Sequence, residues 1–244
     1  MSSPQELAAL LGSEAPIVGL SFDNETLKDG RLSGLSFADC RFSDCHFDYA
    51  EISDCRFINC RFDGCDFSET VFNNCQFMED ETGTVWRYCN LSKSAFNTCN
   101  LSLNRFVGCL AYELQMRECS ALGASFDLSV HREIAGRTMR GGMAVEKCKL
   151  QYAQFASGDF AESRFEGSDL RDTSFAGCDL SYASLRGSAL HNADFAGATL
   201  DGANLAHASF DALDIFSTRS HHGTVVTRDQ HEAILASIGI LTED

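Results

Sequence analysis

Stepping along the chain five residues at a time from Phe22 keeps landing on large apolar side chains. The register runs Phe22, Leu27, Leu32, Phe37, Phe42, Phe47, Ile52, Phe57, Phe62, Phe67, Phe72 and Phe77. It slips, resumes as Leu91, Phe96, Leu101, Phe106, Ala111, Met116, Ala121 and Phe126, slips again, and holds from Leu150 to Ile215. These 34 five-residue units carry 18 of the 19 phenylalanines, Phe216 being the exception. All 12 cysteines lie two residues before such a centre, where the other occupants are mostly Ala, Ser and Gly. Chance would put a residue in a chosen register about one time in five, so the signal is specific.

A period of five suits neither the helix nor the strand. It demands a chain that turns a corner every five residues. One large and one small inward position per unit then fill a narrow tube, and four sides make a 20-residue coil. Coils stacked about 4.8 Å apart like parallel strands give about 8.5 coils and a column on the order of 41 Å long. Each buried centre contributes roughly 1.5–3 kcal/mol. No Lys, Arg, Asp or Glu occupies a centre. The expected organisation is a lead over 1–16, a coil over 17–217 with loops at about 78–90 and 127–147, and a closing helix and tail over 218–244.

Twelve cysteines invite a metal or disulfide reading. Zinc sites bring paired C-x₂₋₄-C spacings, whereas the spacings here are multiples of five within each block. A thiol is also a small, readily buried side chain. Core packing is therefore the expected role, with no metal and no cofactor. Unpaired thiols in this number suit a reducing cytoplasm. No apolar run approaches the ~18 residues of a membrane span. The N-terminus lacks the basic start of a secretory signal; Ser3, Pro4 and Glu6 read as a helix start.

The formal charge is −16, unevenly spread. Residues 1–77 carry 5 basic and 13 acidic groups, 78–149 carry 9 and 8, and 150–215 carry 3 and 10. This excludes a general nucleic-acid binder, which needs a basic face, and an anionic membrane surface as partner. In the first block Asp29, Asp48, Asp66 and Glu69 share one side of the column. In the last block Asp159, Glu162, Asp179 and Asp201 do. Whether the two sets align depends on how many sides each loop replaces, and a plain solvated face is the alternative.

The two slips read as loops projecting from a filled tube, where function commonly resides; a tolerated insertion is the alternative. The first, MEDETGTVWRYC (78–89), holds the only tryptophan, Trp86, beside Arg87 and Tyr88. The second, DLSVHREIAGRTMRGGMAVEK (127–147), holds Arg132, Arg137, Arg140 and Lys147. After Ile215, Thr227 caps a short helix whose apolar residues include Ile234, Leu235, Ile238 and Leu241. It closes the coil end or, with apolar surface left over, makes a two-fold dimer.

Units such as CDLSY (178–182), ANLAH (203–207) and SDLRD (168–172) resemble the pentapeptide-repeat family. That resemblance spans about 22–217 and implies an all-β fold, a right-handed quadrilateral parallel β-helix. A narrower resemblance is to the Qnr-type fluoroquinolone-resistance proteins and their gyrase-poison immunity relatives. It rests on CQFMEDETGTVWRYCNLSKSAF (75–96), ECSALGASF (118–126) and HEAILASIGI (231–240). That group implies a non-enzymatic acidic column, dimeric through its C-terminal helix, which binds DNA gyrase and topoisomerase IV. The partner-binding residues it suggests here are His131, Arg132, Arg137, Met139, Arg140 and Met143, then Trp86, Arg87 and Tyr88. The N-terminal lead and the length of the second loop depart from the group, so its loop residues do not transfer one by one. A pentapeptide scaffold for another protein is the rival reading. An enzyme is not expected, because no G-x-S-x-G, P-loop or H-E-x-x-H occurs.

Overall fold

The computed structural model describes residues 15–240 except 156, 212 and 238. The helix start expected at Ser3, Pro4 and Glu6 lies outside the described residues, as do Ile238 and Leu241.

The chain winds as a four-sided parallel solenoid. Faces are named here in chain order, beginning with the sides centred on Ile17, Phe22, Leu27 and Leu32. Ser21–Asp23, Arg41–Ser43 and Arg61–Asp63 pair in parallel on face two, within a seven-stranded sheet. A second seven-stranded sheet makes face four. Faces one and three are joined largely by single bridges, such as Thr26 to His46 and His46 to Asp66. Most strands are of three residues, because the remaining residues of each five-residue side turn the corner; Arg105–Leu110 and Ser125–Ser129 run longer.

The corners explain why the outward residues are so often Asn, Asp or Gly. The second residue after each centre commonly has positive φ, as at Asp29, Asp39, Asn59 and Asp172. Asn and Asp tolerate that conformation. Their side chains also bond between coils: Asn59 donates to Asp39 at 2.6 Å and Asn74 to Asp54 at 2.7 Å.

Every expected centre with a large side chain is inside except Ile215, which is half-buried and begins a short 3-10 turn while Leu213 fills the interior. The face-two column stacks Phe22, Phe42, Phe62, Trp86, Phe106, Phe126 and Phe155 with ring centroids 4.5–5.5 Å apart. All twelve cysteines are buried. Their Sγ atoms lie 3.3–3.8 Å from backbone carbonyls, two residues earlier or in the coil before, which suits a weak donor in an apolar interior.

Three centres escaped the sequence register: Trp86, Val130 and Val145, all within 1 % of full burial. The first slip is therefore shorter than it looks. Val85–Arg87 pairs with Arg61–Asp63, 24 residues earlier, where 20 is the rule. The four extra residues form a small hairpin, Met78–Glu79 against Thr82–Gly83. Winding also continues past 217, through bridges from Thr199 to Ser220 and Asn204 to Val225. The last coil is closed by Gln230, whose Nε2 donates to the carbonyls of Leu205 and Ala208, and by the helix His231–Ser237. No helix among the described residues is long and apolar enough to cross a membrane.

Candidate functional site

Both interruptions sit at corners, so neither removes a side. The first hairpin leaves between faces one and two. The second, Arg132–Ile134 against Arg137–Met139, leaves between faces three and four. The same four faces consequently continue through the whole column. Asp29, Asp48, Asp66 and Glu69 lie on face three or its edge, and so do Asp159, Glu162, Asp179 and Asp201. The bridges Thr26–His46–Asp66–Asn90–Leu110 and Asp159–Asp179–Thr199–Ser220 trace that face at either end. Between the two acidic sets, Asn90, Ser92, Lys93, Leu110 and Glu113 make a waist without net charge.

The eight carboxylates are not equivalent. Asp48 is buried and paired with Lys28 Nζ at 2.9 Å; that bond holds the Lys28 ammonium above its usual range. Asp66 accepts from Asn90 Nδ2 at 3.0 Å and from the Ser68 amide at 2.9 Å. Asp201 accepts from the Ser220 hydroxyl and the His222 amide, and these hold its carboxyl below the ordinary value. Asp29, Glu69, Asp159 and Glu162 are exposed. His46, Asp48 and Asp66 bring one ligand atom each within 4.8 Å of one another, but both aspartates already have the partners just named.

The second hairpin is pinned at its base. His131 Nδ1 accepts from the Gly141 amide at 3.2 Å, so its Nε2–H faces Asp159 Oδ1 at 3.1 Å. The Arg132 guanidinium lies 4.5 Å over the Tyr112 ring. Arg140 reaches Glu162 at 3.3 Å. Beyond this base Arg132, Ile134, Arg137 and Met139 share one side of the ribbon, since Arg132 pairs with Met139 and Ile134 with Arg137. Ile134 and Met139 are 52 % and 44 % exposed. Ile134 belongs with the expected loop residues, and an apolar side chain alternating with arginines is the signal that could have found it. Beside the hairpin an open groove of about 460 Å³ runs between Arg117, Gly142, Glu162 and Arg164.

Two expected loop residues are corrected. Trp86 is not on a loop but in the face-two column, fully buried between Phe62 and Phe106. Met143 is also interior, at the small position before Val145. After each slip the beat resumes one unit before the Leu91 and Leu150 centres, at Trp86 and Val145. Arg87 is half-buried on face two, and Tyr88 is exposed at its corner. At the closing helix, Ile234 packs against the coil interior and Leu235 is half-buried.

Comparison with known proteins agrees with the winding. The model of pentapeptide repeats matches in eight copies over 27–64, 50–79, 148–187 and 178–212. The chain belongs to the pentapeptide-repeat family. The unmatched stretch, 80–147, begins inside the first hairpin and holds the second, together with the coils between them. Among solved pentapeptide-repeat structures, a trypsin-treated form of QnrB1, a plasmid-mediated fluoroquinolone resistance protein, is 22% identical with a TM-score of 0.66. It covers 94% of this chain and 99% of its own. HetL, a pentapeptide repeat protein involved in heterocyst differentiation regulation from the cyanobacterium Nostoc sp. strain PCC 7120, is 19% identical with a TM-score of 0.66, covering 89% and 90%. No curated protein matches the sequence. These likenesses show the fold.

Proposed function

We propose that this pentapeptide-repeat protein protects a type II DNA topoisomerase, DNA gyrase or topoisomerase IV, from inhibitors such as fluoroquinolones or toxin and antibiotic gyrase poisons. It does so by seating face three in the groove that normally holds duplex. The observation that carries the reading is the alignment of both acidic sets on one face of a narrow column. Duplex DNA places one charge every ~1.7 Å, about 24 over a ~41 Å column. The formal charge of −16 is a sparser imitation, so the shape of the column contributes as well. A groove built to neutralise phosphates attracts such a column over a distance set by salt.

In this reading the second hairpin reaches beyond the groove with Arg132, Ile134, Arg137 and Met139. The protein acts in the cytoplasm by occupancy rather than catalysis, without cofactor, and touches neither nucleic acid nor membrane directly. Two copies join through the closing helix. Because Ile234 packs inward, Leu235→Asp is the variant for that joint: it should sediment as a monomer where the parent is a dimer.

A second reading is supported by the equal TM-score of HetL: the same column could serve as a scaffold for an unrelated partner. A supercoiling assay with purified gyrase and a gyrase poison separates the two. Restored supercoiling in the presence of the protein supports protection. No rescue, with no gyrase binding at low salt, sinks it in favour of the scaffold.

A further inference from the structure

On each side of the coil, the residues just before and just after the inward centre both point outward. His46 and Asp48 flank Phe47 in this way, and Asp66 is bridged to His46 from the next coil. One ligand atom from each of the three side chains therefore lies within 4.8 Å of the others. No other trio of His, Cys, Asp or Glu among the described residues converges so closely, the twelve cysteines included. The pattern is not a general property of the face. One coil earlier the equivalent trio is Thr26, Lys28 and His46, and one coil later it is Asp66, Ser68 and Asn90.

The partners of the two aspartates leave part of each carboxylate free. Asp66 accepts its bonds from the Ser68 amide and from Asn90 at Oδ1. Asp48 meets Lys28 at Oδ2. Both carboxylates are thus oriented from behind, as the supporting partners of metal ligands do. The ring nitrogens of His46 have no hydrogen-bond partner among the described residues, whereas His131, His191 and His222 each face a carboxylate. The cluster also already holds a cation, since Lys28 Nζ stands 2.9 Å from Asp48. The Lys28 side chain is 54 % exposed and is free to swing back into solvent.

We infer that His46, Asp48 and Asp66 bind a zinc ion, which takes the place of the Lys28 ammonium. An imidazole nitrogen with carboxylate oxygens suits zinc, while an all-oxygen shell suits magnesium or calcium. Ligand atoms around a tetrahedral zinc stand about 3.3 Å apart, and the exposed His46 ring is the member free to close in. Water completes the shell. Zinc so bound clips two successive coils together and offsets two carboxylates of the first acidic set. The inference does not rest on face three being a docking face.

The test titrates the full chain, stripped with a chelator, with zinc chloride in a calorimeter at about pH 7.5, where a neutral imidazole is available. Magnesium chloride is the control. One zinc per chain should bind and raise the melting temperature, and magnesium should do neither. His46→Gln should weaken zinc binding by at least about tenfold. Because His46 is exposed, that variant should melt where the metal-free parent does. Lys28→Met should bind zinc about twofold to fivefold more tightly, because it removes a competing cation whose own pairing is weak. No zinc uptake by the parent, unchanged uptake by His46→Gln, or weaker uptake by Lys28→Met overturns the inference.

Discussion

Trp86 Nε1–H donates to Asn104 Oδ1 at 2.9 Å inside the coil. Asn104 in turn donates from Nδ2 to the carbonyls of Phe77 at 3.0 Å and Ser102 at 3.1 Å. The one indole in the centre columns is thereby matched by an amide at the neighbouring small position, where earlier coils of the same face carry Cys40 and Cys60. Asn104→Cys leaves the buried indole N–H facing at most a weak sulfur acceptor and should cost about 1–3 kcal/mol. Trp86→Phe strands the amide oxygen instead. The double variant Trp86→Phe with Asn104→Cys restores the phenylalanine–cysteine pairing of the earlier coils. It should be more stable than either single change. Urea unfolding followed by circular dichroism reads all three, and strict additivity would show that the pair is not coupled.

The cysteines are stacked along the inside of the column and closed to solvent. Burial pushes the Cys55 thiol up to about 12 and the Cys178 thiol up to about 11. A thiol in that state is a poor nucleophile near neutral pH. A thiol-specific disulfide reagent at about pH 8 should therefore label the folded protein only as fast as it opens. In denaturant all 12 cysteines should react at once. Rapid labelling of even one cysteine in the folded state would contradict the packing.

The winding was legible because the inward residues obey a strict beat, and nothing else in the chain competes with it. The same beat groups Asp29, Asp48, Asp66 and Glu69 on one side, and Asp159, Glu162, Asp179 and Asp201 on one side, which is where the bridges of face three run. What stayed hidden were the places where the beat is carried by unexpected residues. Trp86 fills a phenylalanine's position only because Asn104 satisfies its N–H. Val130 arrives 19 residues after Ala111, through an irregular register between Phe106 and Cys109. Local periodicity cannot show either event, since both depend on the coil alongside. The alignment of the two acidic sets was hidden for the same reason: it follows from each hairpin leaving at a corner.

Asp201 ties the last coil to the one before it through the Ser220 hydroxyl and the His222 amide. These bonds favour the charged carboxylate and lower its pKa below the ordinary 3.8. A group whose pKa is depressed by folding stabilises the fold above its unfolded pKa. That contribution is lost as the pH falls through the folded value. Asp201→Asn should thus melt earlier than the parent at about pH 6, with the gap closing as the pH drops below about 3.8. A gap that stays constant over this range would mean that the carboxylate charge contributes nothing to holding the final coil.

The second hairpin can be tested without harming the column, provided the cut respects where the coil ends. Val130 and Met143 are interior, so removing 129–143 would take away two packed positions and confuse loss of fold with loss of function. Replacing 132–140 by a short glycine link keeps both and leaves His131 beside Asp159. The contacts to the column that are lost are Arg140–Glu162, an exposed ion pair worth about 0–1 kcal/mol, and the Arg132–Tyr112 cation–ring contact, worth about 0.5–2 kcal/mol. The melting temperature should shift by only a few degrees, while protection of gyrase should disappear. The paired substitution Ile134→Ser with Met139→Ser should do most of the same damage, because the exposed apolar side chains sit between two arginines on one side of the ribbon. Full protection by the trimmed protein would move the decisive contacts from the hairpin to the carboxylates of face three.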